Sequence, residues 1–508
     1  MSESFVSCGS TQRSLAAVKD RAARFATGLR ERGVARGDRF AIYMRNEISF
    51  LELNLAAGLI GAVPVPINWH WTGSDLAHVL RNSEVSLVVA HTDLLPPLRA
   101  QAPEKLMIVE AEVPAEVREA YRLGEQPLTG EFPVLSDWER CDPWNEAAPP
   151  APMSVIYTSG TTGQAKGVLR DPIAPEVLPT TLGNVADLYH LRPGETTLIP
   201  APLYHSAPNV YSNFAAALGM TIIIMPRFDA ERFLELVSRH QVDTVHAVPT
   251  MFSRLLQLPQ AVREGYDVSS LHSVVHAGAP CPPAVKTAMI EWLGPIVHEY
   301  YGGSEIGAWT ACDSFEALER PGTVGRPILD ADIRILDGQG AQLPAGADGV
   351  VYGKTFSGWP DFTYIGDDEK RRRMEVDGYL TLGDIGHLDE DGYLYLSDRM
   401  NDMVVSGGVN IYPAEIEACL LDLDGVVDSA VFGIPDSDLG EALAAHVQVA
   451  PDRRLDAAAV RDHVRGRLAG YKVPREVVLV DDLPREDTGK LFKRKLKAPY
   501  WAATEVSS

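Results

Sequence analysis

Two rhythms of apolar and polar positions alternate over the first hundred residues. Leu15, Val18, Ala22, Phe25 and Leu29 recur three or four apart, the spacing of one helical face, and Gly33 follows as a C-cap. Phe40–Met44 is then a short apolar run of strand length, and Ile48–Leu59 an apolar helix. A strand at Val63–Ile67, a helix at Asp75–Leu80 and a strand at Ser86–Ala90 continue the series. Helices and strands alternating in this way predict an α/β layered domain. No unit of roughly 20–50 residues repeats, which argues against a solenoid.

The pattern changes near residue 400. After Asp398–Asp402, "YPAEIEACLL" reads as a helix, "SAVFGIP" and "ALAAHVQV" as strands, "DAAAVRDHVRGRL" as a helix and "REVVLVDDLP" as a last strand. Roughly a hundred residues suffice for an independent unit. The predicted division is therefore 1–400, a large layered α/β domain, and 401–508, a small mobile α+β domain. The proline-rich "CDPWNEAAPPAP" at Cys141–Pro152 reads as a surface linker and not as a boundary, because a strand and a glycine loop follow at once.

Composition narrows the function classes. A chain of 508 residues exceeds the size of one core. A net charge of −23 argues against general nucleic-acid binding, which needs a basic face. The start "MSESFVSCGS" has neither a cationic nor an apolar segment, and the apolar stretch Leu55–Ile67 is broken by Pro64 and Pro66. Cys8, Cys141, Cys281, Cys312 and Cys419 form no C-x-x-C pair and read as reduced thiols of a cytoplasmic protein.

"YTSGTTGQAKGVLRD" (Tyr157–Asp171) joins three glycines, four Ser/Thr hydroxyls and one lysine after apolar Val155 and Ile156. Backbone N–H groups, hydroxyls and a cation together suit a polyphosphate. The spacing is not G-x-x-x-x-G-K-[ST]: Ala165 replaces the second glycine and Gly167 the final hydroxyl. "YGGSE" at Tyr301–Glu305 suits a base-stacking platform with a metal-binding acid beside it, and equally a structural tyrosine at a turn. In "YLTLGD" the acid Asp384 ends a strand, where two vicinal ribose hydroxyls find an acceptor. His272 and His276 have a zinc-helix spacing, but Val274 and Val275 between them favour a strand, and no glutamate follows His272.

Order and spacing of these pieces resemble the adenylate-forming superfamily of acyl-CoA synthetases, firefly luciferases and nonribosomal peptide adenylation domains, over nearly the whole chain. "YTSGTTGQAKGV" resembles its phosphate loop, "PLYHSAP" its aromatic-histidine motif, and "HAGAP" and "YYGGSE" its adenine-site motifs. "LGD" with "SDR" resembles the ribose and hinge region, "SGGVNIYPAEIE" the opening of the small domain, and "PREDTGK" the segment with a mobile lysine. The resemblance implies that Thr158, Ser159, Gly160, Thr161, Thr162, Gly163 and Lys166 wrap the β- and γ-phosphates of ATP. Gly278, Ala279 and Pro280 would pack on one adenine face and Tyr301 on the other. Ser304 would approach the α-phosphate, Glu305 hold Mg²⁺, and Asp384 and Arg399 reach the ribose. Lys490 would bridge carboxylate and α-phosphate during adenylation. Two departures stand out: Leu382 replaces the usual ribose-motif threonine, and Asn401 takes the hinge position usually Asp or Lys.

The resemblance further implies an acid:CoA ligase: carboxylate and ATP give acyl-adenylate and pyrophosphate, then coenzyme A displaces AMP. A luciferase-like oxygenase and a non-catalytic nucleotide sensor are the alternatives. Gly302 stands where relatives restricted to acetate and propionate carry tryptophan, which leaves the pocket open to a larger acid. No carboxylate lies between Leu203 and Asn213 to meet an amino group, so an amino acid is disfavoured. The pocket candidates Tyr204, His205, Ser206, Ala207, Val210, Tyr211, His276 and Tyr300 fit a medium-chain, cyclic or aryl carboxylic acid. Gly407 and Gly408 would border a pantetheine tunnel. The basic residues Lys493, Arg494, Lys495 and Lys497 meet CoA phosphates or simply water. No nucleic acid, no membrane insertion and a homodimer complete the expected partners.

Overall fold

The computed structural model describes all residues except 1–2, 151–152, 159–163, 400–401, 407–408, 437–438, 452, 486–490 and 506–508, together with the side chains of 398–399, 410, 494 and 502–505. Helix Leu15–Glu31 buries Leu15, Val18, Ala22, Phe25 and Leu29, the stripe read from the sequence. Ser14 caps it through its side chain, and the chain turns at Gly33 with φ +84°. Helix Ile48–Ile60 is apolar on nearly all sides because it lies between two sheets.

One of these sheets is four-stranded and parallel, in the order Val63–Pro66, Arg39–Tyr43, Leu87–His91, Met107–Ala111. The other has nine strands. Its centre is parallel, with Val297–Gly303, Ser273–His276, Thr244–Ala247, Thr196–Ile199, Thr221–Ile224 and Phe5–Cys8 side by side. Antiparallel strands close both edges, Thr11–Ser14 at one and Gly307–Cys312 followed by Arg326–Pro327 at the other. Core residues from both sheets and both helices form one cluster, and a second fills the far side of the nine-stranded sheet. The N-terminal hairpin and the Met107–Ala111 strand carry no alternation long enough to have been read from sequence.

Two further sheets bring in the candidate site. Strands Ile156–Thr158 and Lys166–Arg170 flank the glycine loop and pair antiparallel, with Phe362–Tyr364 added beside them. In the last sheet of this region, Tyr379–Leu388 pairs with Leu394–Arg399 and sets Asp384 opposite Arg399. From Val404 onward the strands form a separate sheet around the long hairpin of Val426–Asp436 and Gly440–Val449. Helices Pro413–Leu421, Ala457–Arg465 and Lys493–Glu505 accompany it. The fold is a large N-terminal α/β domain followed by a smaller C-terminal one.

Candidate active site

Gly278, Ala279, Pro280, Tyr301, Gly302 and Asp384 line one cleft of about 2460 Å³ that continues to Arg485 and Lys493. Gly278 leaves the strand Ser273–His276 at φ +86°, a conformation that a side chain resists, so the turn at the adenine motif needs glycine. Tyr301 donates a 2.6 Å hydrogen bond to Oδ2 of Asp384. The residues read as adenine and ribose contacts are thus joined directly.

Beside them stands a charged group. Lys166 Nζ lies 2.5 Å from Asp367 Oδ2, and that bond holds the Asp367 carboxyl below its usual range. Tyr364 donates to Glu305 Oε1 at 2.9 Å. The ammonium groups of Lys166 and Lys370 lie 5.8 and 4.5 Å from the centre of the Tyr364 ring. Partial burial, with Lys166 as neighbour, lowers the Lys370 pKa. Lys370 was missed because "DDEKRRR" reads as a solvated charge run. The carboxylate of Glu305 is a hard oxygen donor, the ligand chemistry that suits Mg²⁺, and two ammonium groups lie around the ring that it accepts from. Ser159–Gly163, Asn401, Gly407, Gly408 and Lys490 lie outside the described residues, and Arg399 is described only in its backbone.

Two of the acid-pocket candidates, Tyr211 and Tyr300, meet in one aromatic group. Tyr189, Tyr211, His246 and Tyr300 form an edge-to-face and tilted aromatic group with centroids 5.3–5.9 Å apart. The Tyr211 hydroxyl bonds Thr197 at 2.8 Å, and Tyr300 meets His246 Nε2 at 3.1 Å. Burial pushes His246 down to about 4, so its imidazole is neutral near pH 7. His205 precedes helix Ser206–Ala217, with the Tyr204 ring 4.4 Å away and Val210 buried one turn on.

His276 is a correction. Alternation along Ser273–His276 sends Val275 to the first core and His276, with Val274, to the second. There it meets Phe252 edge-on at 5.0 Å, beside the buried pair Lys286–Glu299, on the sheet face opposite Tyr300. His246, paired with Val275 on the neighbouring strand, takes the Tyr300 face instead, and its parity has meaning only once the sheet's two sides are known.

Gly302 also has a different physical reason. A Cβ there would sit 1.9 Å from the Gly307 carbonyl oxygen, at a bulge after Tyr301. The backbone itself excludes a side chain, whatever the acid's size. Leu382, in the ribose motif, packs on Gly303, where a Cβ would meet its Cδ1 at 2.9 Å. His272 pairs with Glu195 at 3.0 Å, and no metal-holding group of His, Cys, Asp and Glu occurs among the described residues.

The family model for the AMP-binding enzyme matches residues 3–356, and that for its C-terminal domain residues 415–490. A long-chain-fatty-acid–CoA ligase of Mycobacterium tuberculosis is 30% identical over 470 residues, covering 92% of this chain and 90% of its own. A 3-[(3aS,4S,7aS)-7a-methyl-1,5-dioxo-octahydro-1H-inden-4-yl]propanoyl:CoA ligase of Rhodococcus jostii is 32% identical, covering 97% and 95%. Among solved structures, ATP-bound MatB of Rhodopseudomonas palustris is similar at a TM-score of 0.83 and 27% identity, over 98% of this chain and 96% of that one. No described helix is long and apolar enough to cross a membrane. With matches along both parts of the chain, the protein belongs to the AMP-binding enzyme family, the adenylate-forming superfamily, in its acid:CoA ligase branch.

Proposed function

We propose that the protein activates a medium-chain, cyclic or aryl carboxylic acid with ATP and transfers the acyl group to coenzyme A. The observation that carries this reading is the convergence of Lys166, Lys370 and Glu305 on Tyr364, next to the Tyr301–Asp384 bond. Carboxylate and triphosphate repel each other, so the lysines lower the cost of their approach and stabilise charge leaving on pyrophosphate. Glu305 would hold Mg²⁺, which neutralises phosphate charge when bound. Tyr301 and the Gly278–Pro280 turn hold adenine between them, while Asp384 accepts from the ribose. Lys490 bridges carboxylate and α-phosphate in the first step, and Gly407 and Gly408 admit pantetheine in the second. The two steps use different placements of a small domain that begins near Asn401.

The aromatic group around Tyr300 supports a bulky acid, and two relatives are named for long-chain and bicyclic acids. The test is a broad panel of acids, each scored for pyrophosphate release and for acyl-CoA by mass spectrometry. Acid-dependent release with a thioester product is the expected result. Release without thioester, with oxygen consumed, would replace the ligase reading by an oxygenase.

A further inference from the structure

Arg170 ends the strand that leaves the glycine loop, and it is 2% exposed. One guanidinium nitrogen, Nη2, donates to the Ser304 carbonyl oxygen. Nε and Nη1 are buried and have no hydrogen-bond partner among the described residues, and no carboxylate there forms a salt bridge with Arg170. Trp359 covers the group at 5.7 Å, and Tyr189 and Glu305 are close enough to act on its charge. Burial lowers its pKa to about 10, which still leaves it cationic near neutrality.

A buried guanidinium with two idle nitrogens is costly, so the group calls for an oxygen acceptor. Tethering one carbonyl does not require a five-donor fork. The fork's neighbours say what the binding partner is. Trp359, which covers the guanidinium, packs on the core cluster that holds Tyr189, Tyr211 and Tyr300, the side of the sheet where the acid is placed above. His246 Nδ1 is a second buried polar atom there without a partner among the described residues.

We propose that Arg170 is a specificity residue that receives a second oxygen acceptor, a carboxylate or a ketone, on the carbon skeleton of the acid. This rests on the ligase reading above and narrows its substrate class. A plain hydrocarbon acid leaves the fork unpaired when water is expelled, whereas an acceptor-bearing acid satisfies it. Sites built around buried polar groups reject analogues lacking the matching group far more strongly than apolar sites reject a missing methylene.

The experiment compares three acids of matched shape: an unsubstituted cyclic acid, the same ring with a ketone, and the same ring with a second carboxylate. Pyrophosphate release gives kcat/KM for each with the wild type, Arg170→Met and Arg170→Lys. The wild type is expected to favour one acceptor-bearing acid by about 100-fold or more, and the preferred arm distinguishes ketone from carboxylate. Arg170→Met is expected to lose that preference, its kcat/KM falling about 100-fold further for the favoured acid than for the unsubstituted one. Arg170→Lys, which keeps charge but not the fork, should fall between them and serves if the methionine variant does not fold. Calorimetric binding of the three acids without nucleotide gives the same ranking independently of turnover. It therefore separates failure of the ligase reading from failure of this one. Equal losses for all three acids, or a wild type indifferent to the acceptor, would reduce Arg170 to a tether for the Ser304 carbonyl hydrated by water.

Discussion

The hydroxyl of Tyr301 donates to Asp384 across 2.6 Å, from a strand of one sheet to a strand of the next. On the function proposed above, one side chain would thereby stack on the base and orient the acceptor for the sugar. Tyr301→Phe keeps the ring and removes the bond. A hydrogen bond to a charged group contributes about 1.5–3 kcal/mol. The KM for ATP is therefore expected to rise roughly 10- to 100-fold with the acid's KM little changed. An unchanged KM for ATP would mean that Asp384 needs no such support.

Lys166 and Lys370 address one ring from two elements, and on the function proposed above their charges act on the same triphosphate. Lys370→Ala is expected to lower kcat/KM for ATP by about 10- to 100-fold, roughly 1.4–2.7 kcal/mol. Combined with Lys166→Ala, the loss should be less than the sum, because residues sharing a partner couple. Strict additivity would place Lys370 outside the phosphate site.

How far the sequence reached can be judged from such residues. The helical stripe of Leu15 to Leu29 and the apolar run at Ile48 were legible because burial follows local periodicity. Asp384 and Glu305 could be singled out as candidates because each sits inside a short contiguous motif. Lys370, Arg170 and His246 were not. Each is an ordinary residue in its own segment and acquires meaning only from the strand or ring that folding sets beside it. His276 failed for a related reason: a strand's parity decides its face, and parity cannot be assigned before the sheet's two sides are known.

Gly302 separates two explanations of one glycine. With 1.9 Å between an added Cβ and the Gly307 carbonyl, Gly302→Ala must shift backbone at the bulge. The expected outcome is a lowered melting temperature and loss of activity toward every acid, small or large. If the variant kept its stability and merely preferred smaller acids, the position would act through pocket size alone.

Lys490 should fail differently from Lys166. Its contact is expected only in the adenylation transition state, so Lys490→Ala should depress adenylate formation by about 3–5 kcal/mol. Supplied with preformed acyl-adenylate, the variant should still form thioester at a near-normal rate in a quenched-flow assay. Equal loss in both steps would count against two placements of the C-terminal domain.

Buried histidines couple stability to pH. His246 titrates near 4 in the folded protein, because burial opposes its charge, against about 6.5 when unfolded. A folded pKa below the unfolded one means that the unfolded chain binds more protons between these values. The stability is therefore fully present above pH 6.5 and is lost as pH falls from 6.5 to about 4, where the loss levels off. His276 and His298 are shifted the same way, each mainly by burial, and His190 likewise to about 4. Each fully buried histidine contributes at most roughly 3 kcal/mol over that window. His246→Gln, which can still bond the Tyr300 hydroxyl, should flatten the fall of the urea midpoint between pH 6.5 and 4 relative to wild type. A slope identical to wild type would show that His246 is already protonated in the fold, paired with a group other than Tyr300.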